Sequence, residues 1–275
     1  MISPLRFGQA TQDVWDWRAA GNFCLGGTGS GLLALAVACL PAGASSPILV
    51  VGAALSLVGA GLFLVWLEIG RPTRFLHVYF NPWTSWMTRE AFMAGVLFVL
   101  ALLALTLDSA GLLLLAGLAG ALFLYCQGRI LRASKGIPAW REPAIVPLIF
   151  VTGIASGAGL LLLLSPSNDG LPALFVAAVL GLRQLTLSHY LRQLAHHHAP
   201  SKTLSVLRTA NSWSLVAGTL IPTALLGLSL YLPAASSALA GAAGLLAVFT
   251  GWMMTYSIVV RASQYQGFAI PRRRR

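Results

Sequence analysis

Between Trp66 and Glu90 the chain carries an unusual density of ionisable groups for so apolar a protein: Glu68, Arg71, Arg74, His77, Arg89 and Glu90. Glu68 ends one long apolar run and Glu90 opens the next. Charged groups at the edge of hydrocarbon are costly to keep, which makes them functional candidates by default. Two carboxylates at that depth can exchange protons with an apolar molecule, while Arg, His or Trp side chains bond to and stack on its polar head. The plainer alternative is a re-entrant loop whose arginines snorkel, pair with the two carboxylates and hold lipid headgroups. Two further polar stretches enter the same face, Gly136 to Pro143 and Arg261 to Phe268. Gly26, Gly27, Gly29 and Gly31 in the first apolar run allow close approach of another helix or of a flat ring.

These residues must be positioned by elements that live in lipid. The chain has 275 residues, 57% hydrophobic and 9% charged, with a mean hydropathy of +0.79. A soluble domain carries roughly 25% charged residues, so a water-soluble enzyme, a disordered chain and a free nucleic-acid binder are excluded. Apolar runs long enough to cross hydrocarbon, about 20 residues, lie near 20–40, 46–67, 90–107, 111–127, 143–164, 170–190, 212–232 and 236–260. They are continuous, rich in Leu and Ala, and show no period of two, which favours helices over a barrel. The expectation is an all-α polytopic membrane protein: a single domain over 1–275, a bundle of eight transmembrane helices, and no cleaved signal.

Eight spans put both termini on one side, together with the loops 68–89, 128–142 and 191–211. All 18 Lys and Arg residues fall on that side, with Arg183 counted there as lying inside a span toward that end. The positive-inside rule then makes both termini cytoplasmic, in a bacterial inner membrane. Trp66, Trp83, Trp86, Trp140 and Trp213 crowd the same face, as interfacial anchors do. Apart from Asp108 and Asp169 in loops of the other side, no carboxylate lies beyond the cytoplasmic ends of the spans, so no proton path across the membrane is expected.

Other chemistries find little support. Cys24, Cys39 and Cys126 form no CxxC and cannot supply the four clustered thiolates of an iron–sulfur centre. His196, His197 and His198 sit in an expected polar loop without carboxylate or thiolate partners at ligand spacing. Only His189 lies within a span, which argues against a bis-histidine haem. No metal or haem is expected in this chain.

The order of the Gly-Arg-Pro-x-Arg turn at Gly70–Arg74, Ser85-Trp-Met-x-Arg-Glu90, Ile137-Pro-Ala-Trp140, and Arg261 followed by Gln264-Tyr-Gln-Gly-Phe268 resembles membrane-anchor subunits of the dimethyl sulfoxide reductase type, within the wider NrfD/polysulfide-reductase superfamily. The resemblance covers essentially the whole chain. It implies a non-catalytic anchor that binds a quinone, ubiquinone or menaquinone. The quinone would lie near the face where an iron–sulfur subunit docks and leads to a molybdopterin catalytic subunit. The resemblance implies that Glu90 is the acidic residue of quinol binding and proton exchange; together with the polar residues read above, the expected quinone-binding set is Glu68, Arg71, Arg74, His77, Ser85, Trp86, Arg89, Glu90, Arg261 and Gln264, with Glu90 and Glu68 exchanging protons. Position 68 is a histidine in the dimethyl sulfoxide reductase anchors and a glutamate here. The cytoplasmic placement of the working face is similar to the anchor of the cytoplasmic sulfite-oxidising enzyme. Phenylacetyl-CoA, dimethyl sulfoxide and polysulfide or thiosulfate oxidoreductases are the alternatives within the superfamily. A small-solute transporter is the alternative outside it, and would require ionisable groups near the midplane.

Overall fold

Apolar runs of this length satisfy their backbone in hydrocarbon most simply by coiling, since each N–H then finds its own carbonyl one turn back. A computed structural model describes residues 11–39, 47–68, 79–165 and 170–265. Its long helices are α1 (Trp17–Leu35), α2 (Pro47–Glu68), α3 (Trp86–Thr106) and α4 (Ala110–Ala133). The four-residue α5 (Pro138–Arg141) leads into α6 (Ile145–Leu164), followed by α7 (Gly170–His196). Then α8 (Ser201–Leu215) and α9 (Ile221–Tyr231) run on through a π turn, Val216–Leu220, and α10 (Ser236–Tyr256) ends in a second π turn, Ser257–Arg261.

Seven of these stretches are long and apolar enough to cross a membrane: 47–68, 86–106, 110–133, 145–164, 170–196, 201–231 and 233–261. The first expected span, near 20–40, is the helix α1, which is not among the seven. Its glycines and polar residues lower its apolarity because it is an inner helix. Thirteen of its 19 residues are buried, and it packs on α2, α4, α6 and α10. Several helices outrun their apolar stretch. The expected loop 191–211 is mostly the end of α7 and the start of α8, with a turn at His197–Pro200 in which His198 takes a left-handed conformation, φ 52°. Hydropathy reports the part of a helix that lies in lipid, and hydrogen bonding carries the coil beyond it.

The glycines set the spacing. A Cβ on Gly31 or on Gly157 would collide with the facing backbone of α6 or α1, and one on Gly244 would collide with Gly159. Helix α6 is thus held backbone to backbone between α1 and α10, the small-residue packing that membrane helices favour. Gly29 and Gly31 of α1 admit the close approach of α2 and α6 respectively.

Arg183 is displaced from its expected place. It stands midway along α7, about 20 Å from either end at 1.5 Å per residue, and is fully buried. It therefore does not belong to the cationic count of the terminal side. Its guanidinium donates to Ala247 O (2.9 Å), Gly218 O (2.7 Å) and Thr250 Oγ1 (3.1 Å). The π turn shifts the backbone pairing around Gly218 and turns that carbonyl toward the arginine. Hydropathy averages along the chain and cannot tell a charge held by inward carbonyls from one that reaches the interface.

Candidate quinone-site cavity

Helix α1 begins at a cap. Asp16 accepts from Arg18 N (2.8 Å) and pairs with the Arg18 guanidinium (2.8 Å), which also donates to Leu67 O at the end of α2 (3.0 Å). That pair ties the start of α1 to the end of α2, and the guanidinium holds the Asp16 carboxyl below the usual carboxylate range. A carboxyl whose pKa is lowered on folding stabilises the fold above its unfolded pKa and ceases to do so as pH falls through the folded one. Loss of the cap in Asp16→Ala is expected to cost about 1 kcal/mol at neutral pH. A melting curve should show that deficit shrinking as pH drops below the ordinary Asp range.

Between α1, α2 and α3 lies a cavity of about 470 Å³ lined by both Glu68 and Glu90, with Asn22, Trp15, Trp66 and Phe98 among its walls. The lining is overwhelmingly apolar. Glu68, the last residue of α2, is half-buried, whereas Glu90 is 7% exposed, so the two carboxylates stand at the open and closed ends. The Asn22 amide of α1 donates to Glu90 Oε1 (3.2 Å), and Gln127 of α4 stands behind Asn22. Gln127 in turn donates to the Asn22 backbone carbonyl (3.2 Å). Among the described residues Glu90 meets no cation at ion-pair distance; the Asn22 amide is its neutral donor.

Two buried acceptors in this cluster, Asn22 Oδ1 and Gln127 Oε1, have no donor. Buried polar atoms without partners are uncommon and costly. Beside a carboxyl group they suit a ligand that brings O–H groups of its own. The glycines again make the room, since a Cβ on Gly26 or Gly61 would press on the Asn22 and Gln127 amides at 3.0–3.2 Å.

The other expected site residues are distributed as follows. Arg71, Arg74 and His77 lie outside the described residues. Ser85 caps α3, accepting from Thr88 N (3.3 Å). Trp86 and Arg89 are not in the cavity lining; they turn toward α4, where Trp86 has Arg89 at 4.1 Å and Arg129 at 4.2 Å from its ring centroid. Arg261 is exposed at the end of the second π turn. Gln264 is fully buried away from the cavity and donates to Thr11 Oγ1 (2.8 Å).

Gln264 nevertheless connects to the cavity. Thr11 pairs with it as an antiparallel bridge, and Gln12 N donates to Ser263 O (2.9 Å). The Gln12 side chain then folds the next residues into a turn, accepting from Val14 N and Trp15 N (2.8 and 2.7 Å). This delivers Trp15 to the cavity wall and onto Trp140, whose ring lies at 4.8 Å and whose indole donates to Ile258 O (2.9 Å). The Ile137–Trp140 and Arg261–Gln264 stretches thus form one plate over the end of the bundle. Glu142, also buried there, meets His197 Nδ1 at 2.8 Å. No three His, Cys, Asp or Glu side chains converge as a metal site among the described residues.

A family model for polysulphide reductase, NrfD, matches residues 6–263. The chain belongs to the NrfD family. Members are membrane subunits of oxidoreductase complexes, and so is this one. Comparison with curated proteins returned no match.

Sequence reasoning singled out both carboxylates but passed over Asn22 and Gln127. The available signal was the side-chain amide itself, a group that is expensive in the middle of an apolar helix.

Proposed function

We propose that this chain is the quinone-reactive anchor of a molybdenum and iron–sulfur oxidoreductase. In this reading it sits in a bacterial inner membrane with eight spans, α1 the inner one, and both termini in the cytoplasm. An iron–sulfur subunit and a molybdopterin subunit would cover the face of Glu68 and Glu90. The observation that carries the reading is Glu90, a buried carboxyl held by the Asn22 amide, on the wall of an apolar cavity with the orphaned Asn22 Oδ1 beside it.

A quinone is an apolar ring with a carbonyl at each end, and its reduction takes two electrons and two protons to give a diol. The cavity supplies an apolar wall for the ring and tail. The Asn22 amide is placed to direct a ring oxygen, and Glu90 Oε is the proton-exchanging atom beside it. Glu68, at the open end, is where protons would be exchanged with the aqueous side. Asn22 Oδ1 would accept a hydroxyl of the reduced form, which favours binding of the quinol and relieves that orphaned acceptor.

Among the reactions of similar anchors, sulfite oxidation coupled to quinone reduction fits best, because the cationic loops would place the working face in the cytoplasm. Isolation of the native complex is the test. Co-purified iron–sulfur and molybdopterin subunits with extractable quinone are expected, and the catalytic partner then identifies the substrate. Purification of an active chain alone would overturn the reading. A transporter would need its charge in an accessible cavity, whereas Arg183 at mid-depth has no exposed surface.

Asn22→Leu removes the donor to Glu90 together with one orphaned acceptor. Loss of one such hydrogen bond to a substrate is worth about 1 kcal/mol, so KM for quinone is expected to rise roughly fivefold. Steady-state kinetics with unchanged quinone KM and kcat would remove Asn22 from the site.

A further inference from the structure

The residues that turn away from the cavity form a second constellation. Trp86 is flanked by two guanidiniums, Arg89 at 4.1 Å and Arg129 at 4.2 Å from the ring centroid, with Tyr125 edge-on at 5.8 Å. Neither arginine is loose. Arg89 donates to Pro82 O (2.9 Å) and Trp83 O (2.7 Å), and Arg129 donates to Tyr125 Oη (2.6 Å). Cation–π stacking and carbonyl bonds therefore hold two positive charges together at the ends of α3 and α4.

No carboxylate balances them. Among the described residues the ion pairs are Arg18–Asp16 and His197–Glu142, and Glu90 faces the cavity. The segments outside the described residues contain one side-chain carboxylate, Asp169. Among the described residues, the two fixed guanidiniums thus have no carboxylate at ion-pair distance.

What lies beneath them indicates the anion's nature. At helical spacing from Arg129, Leu122, Leu118 and Leu115 are exposed down α4; from Arg89, Phe92, Val96 and Val99 are exposed down α3. Each cation heads an apolar stripe long enough to lie against an acyl chain. An acidic protein segment would account for the charge pair but not for two apolar stripes descending into hydrocarbon depth.

We propose that the Arg89–Trp86–Arg129 stack binds the headgroup of an anionic phospholipid in the leaflet at the Glu90 end. The phosphate meets the guanidiniums, and the acyl chains lie along the exposed faces of α3 and α4. Basic clusters between helices at the membrane surface select anionic headgroups in this way. The site is separate from the cavity and stands whether or not the cavity takes a quinone.

Native mass spectrometry of the full chain, titrated in detergent with phosphatidylglycerol, cardiolipin or phosphatidylcholine, tests this. One anionic lipid is expected to stay bound at lipid levels where phosphatidylcholine does not. At roughly fivefold per charge, the double variant Arg89→Gln/Arg129→Gln should weaken that binding by roughly twentyfold or more. Arg192→Gln/Arg208→Gln, which removes two exposed arginines elsewhere on the same face, should leave it unchanged. Arg89→Lys/Arg129→Lys keeps both charges and should stay within a few-fold of the parent. Equal binding of phosphatidylcholine, an unaffected Gln double variant, or an equal loss in the Lys pair or the control pair would overturn the proposal. Loss of a soluble partner subunit from the Gln variant with lipid binding intact would also overturn it, and would make the stack a protein contact.

Discussion

Glu90→Gln is expected to lower quinone-linked turnover of the complex by roughly a hundredfold or more while turnover with an artificial dye persists. The substitution is isosteric and preserves packing. The introduced carboxamide can still accept from the Asn22 amide, so the cavity wall stays in place. It can neither take up nor release a proton. Positioned general acids and bases contribute roughly 10²–10⁴ to rate, and that factor is lost where the proton must pass Glu90. A dye that takes electrons directly from the iron–sulfur subunit bypasses the cavity. Both assays on the same purified complex therefore separate chemistry from assembly. If both activities fall together, Glu90 holds the complex together; if neither falls, proton exchange lies elsewhere.

A comparably large effect is expected from Gly157→Leu. A Cβ at that position meets the Gly31 carbonyl carbon and the Leu32 nitrogen, which are backbone atoms that no rotamer change can move. Overpacking costs about 1–3 kcal/mol, occasionally more, and a rigid backbone contact belongs at the upper end. Relief requires α1 to move off α6, and α1 carries Asn22 into the cavity. Lower thermal stability and loss of quinone-linked turnover should therefore appear together. Gly181→Leu is the control, since nothing lies within 4 Å of a Cβ there. Equal melting shifts in the two variants would show that the contact between α1 and α6 carries no special weight.

The neighbours Arg89 and Glu90 show how far the sequence reaches. Their position at the head of an apolar run is plain from composition, because a charge at the edge of hydrocarbon stands out against about 20 apolar residues. Which of them faces the cavity is not. Successive residues on a helix point about 100° apart, so one of the pair must turn away, and only packing against α1 and α4 decides which. Glu90 meets Asn22, while Arg89 goes to the stack on Trp86.

Asn22, Glu90 and Gln127 belong to three different helices, and nothing local links them. Their meeting depends on glycine contacts that set the distances between α1, α2, α4 and α6. Gln264 shows the converse. It lies in a polar stretch on the same face as the carboxylates, yet among the described residues it reaches the cavity through Thr11, Gln12 and Trp15. Sequence alone determined that this is a helical membrane protein with two carboxylates at one edge, since transfer free energy is additive along a chain. The tertiary structure decided which polar groups share a cavity, why Arg183 is at mid-depth and where two arginines stand without a carboxylate partner among the described residues. Hydrogen bonding and close packing depend on partners that lie far away in sequence.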